Sequence, residues 1–338
     1  MTRLVACIVG FASISLADFA LKDGETVVFL GDSITAARRY DRIIENYTLL
    51  RYPQHKVKFF NAGKGGDTMT GALDRLQREV FDRGATVLTV AFGVNDIGWG
   101  MKADAEHKNA YLTSLRTLVG RCQEHHVRVF ICSPAITNED PDHAEKGFLQ
   151  QMCDEGLALA KSLGADTTDI QRSMRKVQRH VLAANKNQKD ATKLHVEDGV
   201  HLNELGQLAM AFAMLKGLGA PTEVSAAVIS AGEGKVESVS GCKVSSVKPA
   251  SDGIEFDRLD EGLPLNFGTF GALNFMFIPI PAELNGYRLT VRGLAAGKYD
   301  LRAGGRLLGK FTDKQFAAGM NISSMTANGW EPGGPWDA

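Results

Sequence analysis

The first two-thirds of the chain alternates short runs rich in apolar and β-branched residues with longer stretches of helical spacing. The runs cover residues 26–30, 57–60, 86–92, 127–132 and 165–170. Unbroken runs of this length predict strands covered on both faces. Apolar residues recur at helical spacing over 41–51, 71–81, 106–125, 145–163 and 203–218. Strand-like and helical segments in alternation predict, for residues 25–219, a parallel sheet with helices on both sides. After Pro221 the pattern changes. Short β-like runs at 241–247, 287–291, 298–301 and 307–311 are punctuated by Gly, Pro and Asn. That region, residues 222–320, is expected to form a small antiparallel β unit. The Gly- and Pro-rich stretch at 321–338 predicts no regular structure, and no repeat suggests a solenoid.

The N-terminus carries an export pattern. Arg3 precedes an apolar stretch over residues 4–16, and Ser15-Leu16-Ala17 places small residues where a signal peptidase cuts. The expectation is a signal peptide over 1–17 and a periplasmic or extracellular protein; a buried N-terminal strand is the competing reading. The stretch falls short of the ~20 residues a bilayer span needs, and no other segment is longer and as apolar. Cys7 lies in that stretch without a lipid-anchor context. Cys122, Cys132, Cys153 and Cys242 have no metal-like spacing and are too few for a disulfide scaffold, although they leave room for one pairing that spacing cannot identify. A net charge of −1, with Lys and Arg spread along the chain, excludes nucleic acid as the expected partner.

Four short blocks end apolar runs with polar atoms. Gly31-Asp32-Ser33 follows the first run, and its glycine permits a tight turn that presents the serine hydroxyl above the sheet edge. Ser33 reads as a nucleophile, or equally Ser33 or Asp32 is only a helix N-cap. It is not in a GxSxG elbow. Gly63-Lys64-Gly65-Gly66-Asp67-Thr68 lacks the order of a phosphate loop, and its glycines suit a backbone N–H approaching an oxyanion. Asn95, in Gly93-Val94-Asn95-Asp96, is either an amide donor to an oxyanion or the centre of an Asx-turn. Asp198-Gly199-Val200-His201 spaces a carboxylate to accept from the imidazole Nδ1, leaving Nε2 to face a serine; on its own it reads as a surface pair before a helix capped by Asn203. Three blocks follow the first three runs, at the carboxyl ends of strands where open α/β sheets bind ligands.

Taken together, the blocks resemble the SGNH, or GDSL, hydrolase family, whose GDS, glycine, GxND and DxxH blocks stand in this order over residues 27–218. The resemblance implies a flavodoxin-like three-layer α/β/α domain over 22–220 with a five-stranded parallel sheet, and neither metal nor organic cofactor. It implies Ser33 as nucleophile, His201 as base and Asp198 as its orienter. The oxyanion donors would be the Ser33 and Gly66 backbone N–H groups and the Asn95 side chain, with Gly66 preferred to Gly65 because it directly precedes Asp67-Thr68. Asp32, Asp67 and Asp96 are read as hydrogen-bonding scaffold.

The expected activity is that of an exported serine esterase working through an acyl-enzyme. The absence of a lipase-like apolar lid points to short acyl groups, with acetyl esters on polysaccharide as the leading substrate class. An O-acyltransferase using the same triad, and a non-catalytic carbohydrate-binding protein on this fold, are the alternatives. The polar loop at 137–146 is expected over the site. Trp99 reads either as an aromatic wall for a sugar ring or as a packing residue. Nothing in the pattern sets oligomeric state.

Overall fold

Six consecutive buried residues, Thr26–Gly31, form β1, the inner strand on which the α/β region is organised. A computed structural model describes residues 19–185, 193–268, 271 and 273–325. The expected signal peptide over 1–17 lies outside those residues, as does most of the tail beyond 321. β1 is flanked by parallel β2 (Lys58–Gly63) and β3 (Val87–Ala91), and β4 (Arg128–Cys132) and β5 (Asp166–Thr168) continue the sheet. The order is β2-β1-β3-β4-β5, all parallel, which is the flavodoxin-like arrangement. The strand order reverses between β1 and β3.

Both sheet faces are covered, and the pleat divides the residues between them. Val27 and Phe29 pack into a core with Tyr47, Met174, Leu208 and Met214, whereas Val28 and Leu30 face Met69, Leu76, Tyr111 and Leu115. The covering helices include α1 (Ser33–Ala36), α2 (Tyr40–Arg51), α3 (Met69–Ala72) and α4 (Ala105–Glu124). They continue with α5 (Pro141–Ala144), α6 (Phe148–Ser162), α7 (Ile170–Ala184) and α8 (Glu204–Gly217). α8 buries every residue from Leu205 to Leu215, as a helix apolar on all sides must.

Two local readings need correction, and one possibility left open is closed. The stretch read as one helix over 71–81 is broken into α3, a 3-10 turn at Leu73–Arg75 and a π-helical turn at Gln77–Phe81. α7 has no counterpart in the sequence reading. Its buried positions include Gln171, Arg175 and Gln178, so polar residues occupy the stripe that apolar periodicity would have marked. The four cysteines after Cys7 are free and buried, with no disulfide.

Beyond Pro221 the strands β6 (Glu223–Ser230), β7 (Lys235–Ser240), β8 (Cys242–Ala250) and β9 (Gly253–Asp260) come first. After a short helix, α9 (Ile280–Glu283), come β10 (Gly286–Arg292), β11 (Lys298–Ala303) and β12 (Arg306–Thr312). Helix α10 (Asp313–Ala318) and β13 (Met320–Asn321) complete the described chain. The unit is not wholly antiparallel as expected: β13-β10-β6-β7 make a mixed sheet, because β6 and β10 pair in parallel, while β8–β9 and β11–β12 are hairpins. Ile229, Tyr287, Leu289 and Phe316 build its own core.

The segment leading into α9 instead packs on the hydrolase side. Leu265, Ile278, Ile280 and Leu284 join the core around Tyr47 and Leu208. Buried Arg51 donates from Nη2 to the Leu284 carbonyl at 2.8 Å and to Asn285 Oδ1 at 3.0 Å. Its guanidinium also lies over the Tyr47 and Tyr287 rings at 4.9 and 5.5 Å. No described helix is long and apolar enough to cross a membrane.

Candidate active site

Ser33 stands at the first position of α1, directly beyond β1. Asp32 caps this helix, its Oδ1 accepting from Ile34 N at 2.9 Å. The cap reading thus belongs to Asp32, which leaves the Ser33 hydroxyl for another partner. α1 lies almost on the end of β2, where a Cβ on Gly63 would stand 2.1 Å from Ala36 N, so only glycine allows that approach.

The partner is His201, 168 residues away: its Nε2 lies 2.8 Å from Ser33 Oγ. His201 Nδ1 is 2.6 Å from Asp198 Oδ2, and a carboxylate can only accept, so Nδ1 carries the proton and Nε2 offers its lone pair to the serine. Asp198 Oδ1 accepts from the Val200 and His201 backbone N–H groups, each at 2.9 Å. The His201 hydrogen bond, followed by these two, holds the Asp198 carboxyl down at about 2.

No sheet strand carries this pair. It sits on a narrow hairpin between α7 and α8, in which His195 bridges Leu202 and Val196 N donates to His201 O at 2.9 Å. Two bonds tie the hairpin to the segment after β4. The buried His195 donates from Nε2 to Ile136 O at 2.8 Å, and Asn138 N donates to Gly199 O at 2.7 Å. The polar loop read at 137–146 therefore braces the hairpin through Asn138. Arg175 and Gln178 of α7 hold that loop in turn, donating to Glu139 O at 3.3 and 2.9 Å. Asn203 caps α8, as expected, with Oδ1 accepting from Gly206 N. Burial lowers the His195 imidazole below its ordinary value. The sequence does not mark it, because a lone histidine outside the four blocks carries no spacing signal.

The glycine and GxND blocks interlock beside the serine. Gly66 adopts φ +71°, in the left-handed region, and is exposed with open space where a Cβ would be. The Asn95 Nδ2 group donates to Asp67 O at 3.0 Å, while Asn95 Oδ1 accepts from Trp99 Nε1 at 2.9 Å. Asp67 pairs with Arg75, whose Nε is 2.7 Å from Asp67 Oδ2. The same guanidinium reaches Ala62 O at 2.6 Å and Gly31 O at 3.1 Å, so one buried cation ties the carboxyl ends of β1 and β2 to the glycine turn. Arg75 was hidden because a single arginine in a helical stretch reads as solvated.

Asp96 Oδ1 accepts from Met69 N at 2.9 Å, and its buried Oδ2 has no partner among the described residues. Burial pushes the Asp96 carboxyl up to about 7, and that of Asp32 up to about 6. The three flanking aspartates thus do hydrogen-bond as scaffold. Trp99 is half-exposed, and its ring meets the His201 ring edge-to-face with centroids 5.9 Å apart. The packing reading of Trp99 accordingly fails, since no core closes over it. Among the described residues, no three His, Cys, Asp or Glu side chains gather to hold a metal ion.

A sheet with this order, and a serine, histidine and carboxylate converging beyond its carboxyl edge, define a hydrolase of the serine type. The GDSL-like lipase/acylhydrolase family matches residues 29–209, more than half of the chain, and the chain belongs to it. It is an ester hydrolase. Among solved structures it is similar to BT4096, a gut microbial diltiazem-metabolizing enzyme, at 26% identity and a TM-score of 0.77, over 90% of this chain and 73% of that one. It shares its fold with Axe2, an acetylxylan esterase from Geobacillus stearothermophilus, at 20% identity and a TM-score of 0.51, over 59% of this chain and 96% of that one. LAE5, an alpha/beta hydrolase enzyme from the metagenome of Lake Arreo, Spain, is similar at 21% identity and a TM-score of 0.51, over 60% and 98% of the two chains. The likeness to BT4096 runs beyond the hydrolase part into the β-rich region, because 90% coverage cannot be reached without it. A comparison with curated proteins finds no match.

Proposed function

We propose that Ser33 attacks the carbonyl of a short-chain ester, with His201 as base and Asp198 orienting it. One observation carries the reading: the unbroken relay Ser33 Oγ–His201–Asp198, at 2.8 and 2.6 Å. As Oγ adds to the carbonyl carbon, its proton passes to Nε2, and the imidazolium is stabilised by Asp198 through Nδ1. Negative charge builds on the carbonyl oxygen, facing the Ser33 N–H, the Gly66 N–H and the remaining Asn95 amide hydrogen. The first N–H of a helix has no intrahelical acceptor, which frees that of Ser33 for this task. His201 then returns its proton to the departing alcohol, and water repeats the sequence on the acyl-enzyme to release the acid.

The substrates we favour are acetyl esters on carbohydrate. The exposed Trp99 ring beside His201 supports this, offering a flat apolar face next to the group that protonates the alcohol. An acetylxylan esterase on the same fold is in keeping with it. We also read the protein as exported after loss of residues 1–17, and residues 222–320 as an accessory β-rich domain.

The test is hydrolysis of p-nitrophenyl acetate, butyrate and octanoate, and of acetylated xylooligosaccharides, by wild type and Ser33→Ala. Acetate cleaved fastest by wild type, with the variant at background, is the expected result. Equal rates in the two proteins would overturn the nucleophile assignment, and a preference for octanoate would overturn the short-acyl one.

A further inference from the structure

We propose that Trp99 is a positioning residue for the oxyanion site, its indole N–H locking the Asn95 amide in the one orientation that aims a free N–H at the substrate oxygen. This rests on the assignment of Asn95 as an oxyanion donor made above. The oxygen and nitrogen ends of an amide have nearly the same shape, and only their partners distinguish them. Here the partners are unambiguous. The indole Nε1 can only donate, and it lies 2.9 Å from Asn95 Oδ1; the Asp67 carbonyl can only accept, and it lies 3.0 Å from Nδ2. A flipped amide would set two donors face to face on one side and two oxygens on the other. Of the two Nδ2 hydrogens, one is spent on Asp67 O and the other is left for the oxyanion.

The backbone at Trp99 argues for the same role. Trp99 has φ +58° and ψ +31°, a conformation L side chains rarely adopt, and both neighbours, Gly98 and Gly100, also have positive φ. Such strain in a bulky residue persists only where its surroundings hold it. Burial is not the reason, because the ring is 49% exposed. What holds the residue is its backbone N–H, bonded to Val94 O at 2.9 Å, the indole bond to Asn95 and the edge contact with His201. The two glycines let the loop fold back on the Asn95 turn, where Gly98 N donates to Asn95 O at 2.9 Å. The result is an aromatic side chain brought back over the residue four positions before it.

Trp99→Phe keeps the ring and removes the donor. It is compared in the wild-type and Asn95→Ala backgrounds, with kcat and KM for p-nitrophenyl acetate and thermal melts measured for all four proteins. Asn95→Ala alone should lower kcat by about a hundredfold to a thousandfold. Trp99→Phe alone should lower kcat by roughly tenfold with KM nearly unchanged, because the Asp67 carbonyl still biases the amide. In the Asn95→Ala background the same change should alter kcat less than about twofold, since nothing remains to orient. A tenfold loss in both backgrounds would overturn the proposal in favour of a general structural role, as would no loss in either. A folding defect gives the first of these results and shows in the melts. Should Asn95→Ala itself leave kcat intact while Ser33→Ala abolishes it, the oxyanion assignment of Asn95 fails and the proposal falls with it.

Discussion

The two halves of the chain solve the problem of covering a sheet in opposite ways. In β1 and β3 every residue is buried, whereas in β7 only Val236 is even half-covered and β9 alternates between half-buried and exposed positions. Strands sealed between helix layers have little freedom to move, and the turns beyond their carboxyl ends inherit that rigidity. Ser33 and Asn95 stand on such turns, whereas Gly66 follows the edge strand β2, in which only Ala62 is fully buried. The β-rich half leaves one face to water, and none of the proposed site residues comes from it. Its apolar contribution to the other half is the segment around Leu265 and Ile278, which closes a core rather than a site. The contrast teaches that two-sided burial fixes the turns carrying Ser33 and Asn95, while the Asp198–His201 hairpin and the Gly66 turn are held by hydrogen bonds between segments.

That comparison can be broken, and the most drastic test is Ser33→Ala. It should cost at least about a thousandfold in kcat for acetyl esters with little change in thermal stability, because the role proposed for this residue lies in the reaction rather than in a core. A melt lowered in proportion to the activity would count against the separation. Next is Arg75→Leu, which leaves the buried Asp67 with only the exposed Lys64 at 3.8 Å and frees two strand-end carbonyls. Breaking a buried pair in this manner costs about 3–5 kcal/mol, to be read from denaturant unfolding. Kcat should fall as well, since the glycine turn loses its tie to β1 and β2.

A smaller effect with a pH signature comes from Asp96→Asn. The native state raises the Asp96 carboxyl from 3.8 to about 7, so between those values the folded chain holds a proton that the unfolded chain has lost. Wild-type stability should therefore decline as pH rises from about 4 to 7 on account of this residue. An asparagine keeps an oxygen for Met69 N–H without the charge. The variant should gain on the order of a few kcal/mol over wild type at pH 8, with the gain fading towards pH 4. Unfolding curves at the two pH values decide it; an equal difference at both would remove the electrostatic explanation.

The mildest expectation for catalysis concerns the β-rich half. Leu289→Ala opens a cavity in its core and should destabilise the protein by about 2–5 kcal/mol. Kcat measured well below the melting temperature should stay within about twofold of wild type if the two regions are as separate in function as in their strands. A larger loss would mean that the Arg51–Leu284 junction transmits packing changes to the site.

The parts legible beforehand share a physical cause. β1 and β3 were readable because two-sided burial demands unbroken apolar runs, and α8 because a helix in the core must be apolar all round. The serine, glycine and asparagine blocks were readable because each ends such a run at a turn with little freedom of residue type. What escaped was held by polar contacts across long separations. α7 hides its inward face behind Gln171, Arg175 and Gln178, and the 71–81 stretch keeps helical spacing while its backbone changes winding at Leu73 and again at Gln77. Arg75 and His195 are single residues whose partners lie in other segments, so no local pattern marks them.

The alternation of strands and helices, the sealed strands β1 and β3 and the four polar blocks were determined by the chain itself, since burial and turn geometry are written within a few neighbouring residues. Tertiary structure alone decided that His201 comes within 2.8 Å of Ser33 across 168 residues. That distance depends on α8 seating itself in the core and on His195 and Asn138 tying the hairpin to the segment after β4. It also decided the orientation of the Asn95 amide, which only an indole four residues on and a carbonyl from the neighbouring turn can select. Hydrogen bonds between distant segments depend on direction and on distances of a few tenths of an ångström, and neither exists until the layers have packed.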